Sequence, residues 1–599
     1  MKKLIEKIKL FPVAMGIIIL FSSCKKDDLA MVEKGFAMSS TEIILGLDKT
    51  QPIYASVYPY EGEEPVKWSS SNPNTVSIEE EGSRHGISSG KITGRSIGEA
   101  TVTIESAVDA TKKGSTRVSV VEHTFPDLAQ GENYSSPDLM TYRVPDEYPQ
   151  EGDPLFTVSI NGKYTGVYTD KNAWNNLVSF AYFDFTPGKE VEIAINVKNP
   201  VYNYKILPES NTVSSKKDGN IIRCKLKEAD KTFSIVFNND YRGNTLHVFA
   251  NAIDINAPTQ SGGNLRYFGP GYHKLSGGNL FVGGSQKVYI AGGAVVEGTL
   301  NVGGNGNVVS GHGILMKKTP NDLVMTTSYA KNVTYDGFIV CSHRSGGWTL
   351  GMHEASNVTV KNVKIVSTRY ASTDGFDIVN SNNIHLSNVF VRACDDAITI
   401  KGLIDRLPAN CPPNENMLFE HLQLWNDCNN AMCLGEESRA KVYDNIRFND
   451  IDVIFSYDDR DNHTKLDERS VMSIVSLDGT FFRNIVWENI RVNRCERLIC
   501  FTFKDSFWFG TIAGNQHTEG GIDGVSFKNV SALSNSGSSI ANEILLNGWY
   551  SPGTPTKIIQ NITFDNVVIE GKRVTGEQDP HIKTNNTAER KLVTNLYFK

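Results

Sequence analysis

The clearest pattern in the chain is a repeat of alternating apolar and polar residues in its C-terminal half. Each copy begins with an asparagine and contains two short alternating runs separated by a polar turn. Copies occupy residues 357–365, 383–391, 445–453, 484–492 and 561–569. Short alternating runs predict β-strands, and a period in the twenties predicts a solenoid whose coils stack about 4.8 Å apart. We therefore predict a right-handed parallel β-helix over residues 258–599.

The asparagine that opens each repeat is predicted to be structural. Asn332, Asn357 and Asn383 start three successive copies, and the same position recurs as Asn445, Asn484 and Asn561. Asparagine tolerates the left-handed backbone conformation better than most residues, and its amide can pair with an identical neighbour. We expect these residues to form a ladder along one turn of the helix.

Two further β-rich regions precede the repeat. Runs such as Phe156–Ile160, Val191–Val197 and Phe233–Phe237 alternate with period two, which predicts a β-sandwich over residues 123–257. Residues 37–122 also alternate, with Trp68 predicted to fill a small core. The stretches 68–76 and 92–104, which include Gly94 and Gly98 at expected turns, resemble the bacterial Ig-like (group 2) domain. The whole chain is therefore predicted to be all-β.

The N-terminus has the features of an export signal. Four lysines precede an apolar run from Leu10 to Phe21, and Ser22 and Ser23 come directly before Cys24. This resembles a bacterial lipobox, which implies removal of residues 1–23, lipidation of Cys24 and a tether over 24–36. The following Lys26-Asp27-Asp28 resembles a surface-export tag. We expect an outer-membrane lipoprotein exposed on the cell surface, with the membrane contacted through the lipid.

Composition narrows the classes of partner and cofactor. The chain has 40% hydrophobic residues, a net charge of −7 and no basic stripe, so nucleic acid is not an expected partner. The eight cysteines after Cys24 include no CxxC pair, which gives no support to a zinc site. Buried thiols and disulfides remain alternatives for them. We expect no metal and no cofactor, and a monomer.

Three aspartates interrupt the regular repeat. Asp374 and Asp395 are 21 residues apart, which is close to one coil and predicts adjacent coils at the same position. Asp396 adds a third carboxyl, which shares the face of Asp395 only at a strand end or bulge. Crowded carboxyls raise one pKa, so that one group stays protonated while another is ionised. Hydrolysis of a glycosidic bond needs such a pair.

The residues around these aspartates resemble known catalytic segments. Thr373-Asp374-Gly375 and the run from Asp395 to Lys401 resemble glycoside hydrolase family 28, the polygalacturonases. Their clan also contains family 49, the dextranases. The resemblance implies a right-handed β-helix and hydrolysis with inversion. It implies that Asp396 is the general acid and that Asp374 and Asp395 activate water.

Two departures from family 28 bear on the substrate. The family's Gly-His-Gly segment is replaced by Asn429-Asn430-Ala431, and its Arg-Ile-Lys segment, which grips a uronate carboxylate, is absent. Lys465 or Arg469 are candidate substitutes. The stretch from Trp425 to Asn430 resembles the dextranases instead. A neutral polysaccharide is therefore the predicted substrate, and pectin is the alternative.

Other residues near the aspartates are predicted to bind substrate. The candidates are Trp348, Tyr370, Lys401 and Asn430, with Asp377 as a secondary site residue. Lys401 is also a candidate for tuning the pKa values of the aspartates, and Glu436 and Glu437 are expected in a turn.

Two other functional classes compete with the hydrolase. A lyase would hold Ca²⁺ on the aspartates with Arg369, Arg392 or Lys401 as base, and an adhesin would bind glycan without chemistry.

Overall fold

The structure is a computed structural model of the chain. It describes residues 35–38, 42–58, 65–84, 87–121, 132–199, 201–211, 213–243, 245–317, 323–343, 347–370, 372–404, 406–457, 469–506, 513–533 and 540–599. The chain divides into two compact units, one formed mainly by residues up to 126 and the other by most of the remainder. Within the described ranges, no helix has the length and apolarity needed to cross a membrane. The predicted signal, Cys24 and most of the tether lie outside these ranges.

The N-terminal unit contains two four-stranded sheets. Its strands are β1 Gly35–Met38, β2 Glu42–Gly46, β3 Thr50–Tyr58, β4 Val66–Ser70, β5 Val76–Arg84, β6 Ile87–Gly94, β7 Gly98–Ser106 and β8 Lys113–Val121. The sheet orders are β1-β3-β6-β5 and β2-β8-β7-β4. Trp68 is buried in the shared core, as predicted, and its indole N–H donates to Ser88 Oγ at 2.9 Å. Assignment to the bacterial Ig-like group stays a prediction.

The second unit begins with a pair of sheets. Their strands are β9 Tyr134–Ser135, β10 Leu139–Thr141, β11 Phe156–Ile160, β12 Lys163–Thr165, β13 Val167–Lys171, β14 Leu177–Phe185, β15 Val191–Val197, β16 Tyr204–Leu207, β17 Ser214–Asp218, β18 Ile221–Leu226, β19 Lys231–Phe237 and β20 Thr245–Ala252. One sheet runs β16-β19-β20-β14-β10-β9, with β13 on β14, and the other runs β12-β11-β15-β18-β17. We call this region the β-sandwich.

The rest of the second unit is one continuous sheet of 28 strands. The first fourteen strands are β21 Leu265–Phe268, β22 Gly271–Val282, β23 Lys287–Ile290, β24 Ala294–Val302, β25 Val308–Gly311, β26 Ile314–Met316, β27 Met325–Ser328, β28 Lys331–Asp336, β29 Ile339–Cys341, β30 Leu350–His353, β31 Ser356–Lys361, β32 Lys364–Ser367, β33 Phe376–Val379 and β34 Asn382–Ser387. The others are β35 Phe390–Ala393, β36 Ile398–Leu403, β37 Asn414–Asn426, β38 Met432–Arg439, β39 Tyr443–Ser456, β40 Met472–Ser476, β41 Phe481–Val492, β42 Arg497–Phe503, β43 Gly521–Ala532, β44 Glu543–Asn547, β45 Ile559–Ile569, β46 Lys572–Arg573, β47 Ile582–Thr584 and β48 Val593–Phe598. The described helices are two 3-10 turns, Glu209–Asn211 and Pro408–Asn410.

This sheet coils into the predicted right-handed parallel β-helix. Apart from β46, which pairs antiparallel with β45, the strands pair in parallel with strands one coil later; β30 pairs with β33 and β33 with β36. Alternate side chains point inward and form one continuous core from Phe268 to Val593. Aromatic rings stack along its axis, with Phe448 to Trp487 centroids 5.5 Å apart and Trp487 to Phe527 5.3 Å. The all-β prediction is confirmed.

Part of the ladder predicted from the sequence is present: Asn305, Asn332 and Asn357 are linked in series and Asn445 pairs with Asn416, whereas Asn383, Asn484 and Asn561 donate to Asn382, Asp444 and Asp523. Asn332, Asn357, Asn383, Asn445, Asn484 and Asn561 all have φ between 53° and 57°, in the left-handed region. The side-chain amide of Asn357 donates to Asn332 at 3.0 Å, and that of Asn332 donates to Asn305 at 2.8 Å. We call this feature the asparagine ladder.

The β-sandwich packs against the β-helix through aromatic side chains. Tyr168, Phe180 and Phe249 of the β-sandwich share a buried cluster with Val366 and Phe390 of the β-helix. This contact lies on the strands that lead into the aspartate-bearing turns, since Val366 is in β32 and Phe390 is in β35. The β-sandwich therefore supports the coils that carry the candidate site.

Candidate active site

The three aspartates lie in two consecutive turns of the β-helix. Asp374 comes just before β33, and Asp395 and Asp396 fill the turn between β35 and β36. One carboxylate oxygen from each lies within 4.8 Å of the others. We call these two segments the acid turns. Of the strand end or bulge that the sequence requires here, the structure has a strand end, since β35 stops at Ala393, and this lets the adjacent Asp395 and Asp396 reach the same small region.

The register between the acid turns differs from the expected one. Phe376 pairs with Ile398, an offset of 22 residues that places Asp374 level with Asp396. The N–H of Gly375 correspondingly donates to the carbonyl of Asp396 at 2.8 Å, and that of Asp395 donates to Thr373 at 3.1 Å. The strands that follow the turns are thus offset by one residue more than the 21 that separate Asp374 from Asp395, and the three carboxyls still meet in one region, with an oxygen of each within 4.8 Å of the others.

Asp396 is a buried carboxyl with a strongly shifted pKa. Burial is the main cause and the nearby Asp395 charge adds to it, so that the pKa of Asp396 rises to about 7. The N–H and the side-chain amide of Asn430 donate to its Oδ1 at 3.1 and 2.9 Å and partly oppose the shift. Near neutral pH, a large fraction of Asp396 therefore carries the proton that a general acid must donate.

Asp395 occupies a more open position than Asp396. Its Oδ1 accepts the N–H of Asp396 at 3.0 Å and a side-chain hydrogen bond from Asn429. Its backbone carbonyl accepts the amide of Asn426. Its carboxylate oxygen thus acts as a hydrogen-bond acceptor in both contacts.

Lys401 lies among several carboxylates. Its Nζ is 3.4 Å from Asp374, 3.4 Å from Asp377 and 3.7 Å from Glu437. Burial alone would lower the pKa of Lys401, but the charges of Glu437, Asp374 and Asp377 raise it well above its usual range. Lys401 is therefore a buried cation.

Burial is also the first cause of the raised pKa values of Asp374 and Asp377. For Asp374 the neighbouring Asp377 raises it further, whereas Lys401 acts in the opposite direction on both groups. One lysine cannot balance several buried carboxylates, so this group shares protons near neutral pH.

Two sequence expectations change with this arrangement. Lys401 was expected to bind substrate, but its ammonium is enclosed by carboxylates of the protein. Glu437 was expected in a turn, yet it lies within β38 and faces Lys401. The side chain of Lys401 is therefore suited to fixing Asp374 and Asp377, and Glu437 completes its surroundings.

Asn430 takes a different place from the substrate-binding one predicted. It is fully buried, and its amide carbonyl accepts the Ser470 N–H at 2.9 Å and the Ser473 hydroxyl at 2.5 Å. Its amide nitrogen donates to Asp396 and, at 3.2 Å, to Asn429. Because its hydrogen-bonding capacity is used within the protein, Asn430 positions Asp396 and has no polar group left for a sugar.

The two predicted aromatic contacts lie beside the acid turns. Trp348 is half-buried, and the Lys401 ammonium lies 4.6 Å from its ring centroid. Tyr370 is 40% exposed, and its carbonyl accepts the N–H of Thr373 at 3.0 Å. Arg369 lies 5.4 Å from the Tyr370 ring. Both rings are placed where a sugar face could stack close to the acids.

The sequence did not single out a buried network behind the acid turns. Arg392 is fully buried, donates to Asp427, and lies 4.4 Å from the Trp425 ring. It also donates to Thr245 of the β-sandwich at 2.6 Å. Arg392 precedes Cys394-Asp395, and Asp427 precedes Asn429. These contacts fix the backbone at the start of the turn that carries Asp395 and at the start of the turn that carries Asn429. No repeat or motif in the sequence indicates them.

Arg469 and Lys465 are the candidate cationic substitutes for the missing uronate clamp. Arg469 is buried, and burial is the main cause of its lowered pKa, with the charges of Asp395 and Asp396 acting against it. This places Arg469 within electrostatic reach of the acid turns. Lys465 lies outside the described residues.

The same three aspartates also have a spacing that would suit a cation. Within the described residues, Asp374, Asp395 and Asp396 form such a group. Carboxylate oxygens are hard ligands of the kind that Ca²⁺ and Mg²⁺ prefer. Protonation of Asp396 near pH 7 would compete with cation binding.

A carboxyl with a raised pKa next to further carboxylates is an arrangement that glycoside hydrolysis can use. Residues 271–410 match the family model described as Glycosyl hydrolases family 28, and this range contains both acid turns. The match confirms the resemblance to the β-helix glycoside hydrolase clan. Residues 271–410 are therefore similar to glycoside hydrolases of family 28.

Comparison with solved structures gives remote likenesses. The family 28 exopolygalacturonase of Yersinia enterocolitica is 10% identical with a TM-score of 0.36, covering 69% of this chain and 97% of that chain. The exopolygalacturonase of Thermotoga maritima is 12% identical with a TM-score of 0.34, covering 55% and 84%. The GH87 α-1,3-glucanase of Streptomyces thermodiastaticus is 9% identical with a TM-score of 0.36, covering 90% and 97%. No curated protein sequence matches.

Proposed function

We propose that the protein hydrolyses the glycosidic bonds of a neutral polysaccharide, in the manner of a dextranase. The observation that carries the proposal is the pair of unlike carboxyls in the acid turns. Asp396 has a pKa of about 7, and its neighbour Asp395 is more exposed and accepts N–H donors. Glycoside hydrolysis requires one protonated and one ionised carboxyl side by side.

The roles follow from the surroundings of each group. Asp396 donates its proton to the leaving glycosidic oxygen, and Asn430 fixes the carboxyl that carries it. Asp395 and Asp374 orient a water molecule and accept its proton as the oxygen attacks the anomeric carbon. Lys401 holds Asp374 in place and offsets its negative charge. General acid and base catalysis of this kind accelerates reactions by about 10²–10⁴-fold each.

The charge of the site supports a neutral sugar. Recognition of a uronate requires a cation directed at its carboxylate, usually a bidentate arginine. Lys401 is enclosed by Asp374, Asp377 and Glu437, so its charge is already paired. The carboxylates around it would repel a polyanionic chain.

A pectic substrate is the second candidate, and Arg469 is the observation that favours it. This arginine is within electrostatic reach of Asp395 and Asp396. If it contacts a uronate, Arg469→Met should raise KM for polygalacturonate much more than it lowers kcat. On a neutral polysaccharide the same change should leave KM nearly unaltered.

The stereochemical course is proposed to be inversion, as the resemblance to families 28 and 49 implies. The nearest carboxylate oxygens of the three aspartates lie within 4.8 Å of one another; inverting enzymes usually hold their carboxyl groups ~6.5–9.5 Å apart and retaining enzymes ~5–5.5 Å apart. Retention is therefore the competing outcome. Proton NMR of the first product formed, before its anomers equilibrate, separates the two.

The activity is tested by incubating the purified full chain with a panel of polysaccharides and assaying new reducing ends. Asp396→Asn serves as the control. Reducing ends released from dextran-like or other neutral chains, and lost in the variant, support the proposal. Release confined to polygalacturonate supports the pectic candidate. Unsaturated products that disappear with chelator would identify a lyase, and binding without products would identify an adhesin.

We further propose that the protein is an outer-membrane lipoprotein exposed at the cell surface. The lipobox-like Ser22-Ser23-Cys24 and the following Lys26-Asp27-Asp28 support this location. Cells fed radiolabelled palmitate should label the wild type and not Cys24→Ala. Protease added to intact cells should degrade the labelled protein if it faces outward, and should leave it intact if it faces the periplasm.

A further inference from the structure

Two cysteines lie side by side directly behind the acid turns. The Sγ atoms of Cys394 and Cys428 are 3.0 Å apart, and both residues are buried. Cys428 Sγ also approaches the Cys394 carbonyl at 2.6 Å. Two sulfur atoms at this distance are closer than ordinary packing requires, and only a small approach separates them from a bond of about 2.05 Å.

The backbone at this place suits a covalent link. Arg392 and Ala393 pair in parallel with Trp425 and Asn426, so that the two chains are adjacent where each cysteine follows. The N–H of Asp427 continues the ladder by donating to Ala393 at 2.9 Å. Neighbouring strands lie about 4.8 Å apart, inside the range of about 4.4–6.8 Å that Cα atoms of a disulfide span.

The residues that follow the two cysteines in the chain belong to the candidate active site. Cys394 is followed by Asp395 and Asp396, whereas Cys428 is followed by Asn429 and Asn430. Asn429 donates to Asp395, and Asn430 donates to Asp396. A bond between the cysteines would therefore tie each acid to the residue that holds it.

We propose that Cys394 and Cys428 form a disulfide in the exported protein, which fixes the turn of Asp395 and Asp396 to the turn of Asn429 and Asn430. The proposal does not depend on the substrate or on the stereochemistry of hydrolysis. It concerns a modification of the scaffold, and its primary test needs no activity measurement.

The reaction is a two-electron oxidation of two thiols. One cysteine, as its thiolate, attacks the disulfide of an oxidant such as oxidised glutathione or a thiol-disulfide oxidoreductase, and releases one oxidant thiol. The second cysteine then attacks the mixed disulfide and displaces the other oxidant thiol. Two protons leave the protein thiols, and the oxidant disulfide is reduced to two thiols.

The burial of both sulfurs sets the timing of this reaction. Burial raises the pKa of the Cys394 thiol well above its usual range, which disfavours the reactive thiolate in the folded protein. The oxidant must therefore act while the coils are still closing, or during a local opening. Once formed, the bond is protected from reductants by the same burial.

The test uses the full chain exported from cells and a second sample refolded with a mixture of oxidised and reduced glutathione. Each is denatured without reductant, alkylated, digested and examined by mass spectrometry. We expect a cross-linked pair of peptides containing Cys394 and Cys428, with two hydrogens missing. The pair should persist in the matched control variants Cys224→Ala and Cys433→Ala, and should be absent in Cys428→Ala.

Thermal unfolding gives a second measurement that does not require peptide mapping. Removing the bond in the double variant Cys394→Ala/Cys428→Ala should lower Tm by about 2–4 °C. Wild-type protein denatured and refolded in the presence of reductant should show a similarly lowered Tm, and the same treatment should leave the double variant unchanged. Full alkylation of both cysteines in both wild-type samples would overturn the proposal, as would a cross-link from either one to a different cysteine.

Discussion

The asparagine ladder and the acid turns are two regions of the β-helix where the chain changes direction. They differ in how their polar side chains are paired. In the asparagine ladder, an amide can donate to the equivalent residue of the preceding coil, as Asn357 does to Asn332. In the acid turns, equivalent positions of successive coils carry carboxyls, which repel each other. The paired residues of the ladder add favourable contacts between coils, whereas the acid turns concentrate unfavourable charge.

This difference explains why one region supports the fold and the other supports chemistry. The ladder residues are largely exposed and uncharged, so their pairing has little consequence for protonation. Asp374, Asp377 and Asp396 are buried, and burial is the first cause of the raised pKa of each. Burying these carboxyls costs folding free energy, and the same burial keeps a carboxyl protonated near neutral pH.

The largest expected effect comes from removing the proton donor. Asp396→Asn keeps the shape and the hydrogen bonds from Asn430 but has no acidic proton, so kcat should fall about 10²–10⁴-fold. The release of reducing ends measures this loss.

Asp396→Asn should also change how the free energy of unfolding depends on pH. Since the pKa of Asp396 is raised in the folded protein, its contribution to stability is fully present below about pH 4 and is lost as the pH rises through about 7. Asp396→Asn should flatten that part of the stability profile, measured by urea unfolding at several pH values. A steeper profile in the variant would contradict the account.

The next effect tests the balance of charge around Lys401. Lys401→Met leaves Asp374, Asp377 and Glu437 without their buried cation, which should cost about 3–5 kcal/mol in the free energy of unfolding. Adding Asp377→Asn should restore part of the loss. The exposed Lys331→Met is the matched control and should change stability little. Equal losses in both lysine variants would show that the ion pairs are not the cause.

The ladder should show the reverse behaviour, with an effect on stability and none on catalysis. Asn357 has a φ of 55°, which alanine adopts at a cost of about 1–2 kcal/mol and glycine adopts freely. Asn357→Ala should therefore destabilise the protein more than Asn357→Gly in urea unfolding. Both variants should keep the wild-type kcat when folded. A changed kcat would mean that the two regions are coupled.

The asparagine ladder could be predicted from the sequence more completely than the acid turns. Repetition makes the ladder visible, because Asn332, Asn357 and Asn383 recur at nearly constant spacing, and the β-helix follows from them. The three aspartates were identified because they break that repetition. Local sequence does not show the register of a turn, which is why the alignment of Asp374 with Asp396 was missed.

Residues that act from other parts of the chain were predicted least well. Asn430 was expected to contact sugar, but its partners Ser470 and Ser473 lie about 40 residues further on. Arg392 reaches Thr245 of the β-sandwich across 147 residues. Such contacts depend on the stacking of coils and on the β-sandwich docking, neither of which leaves a pattern in the surrounding sequence.

The smallest expected effect concerns the tuning of Asp396 by Asn430. The two hydrogen bonds from Asn430 favour the ionised carboxylate, so Asn430→Ala should raise the pKa of Asp396 further. The fall of kcat at high pH should then move upward by about one pH unit or less. Ser473→Ala, which removes one support of Asn430, should give a smaller shift in the same direction. A shift toward lower pH would contradict this role.

The central claim is that burial keeps Asp396 protonated so that it can act as the acid. The pH dependence of kcat/KM tests it most directly, measured for the wild type and Asp396→Asn on the same polysaccharide. We expect wild-type activity to fall as the pH rises through about 7, and the small residual activity of the variant to show no such fall. A variant that keeps full activity, or the same fall near pH 7, would contradict the account.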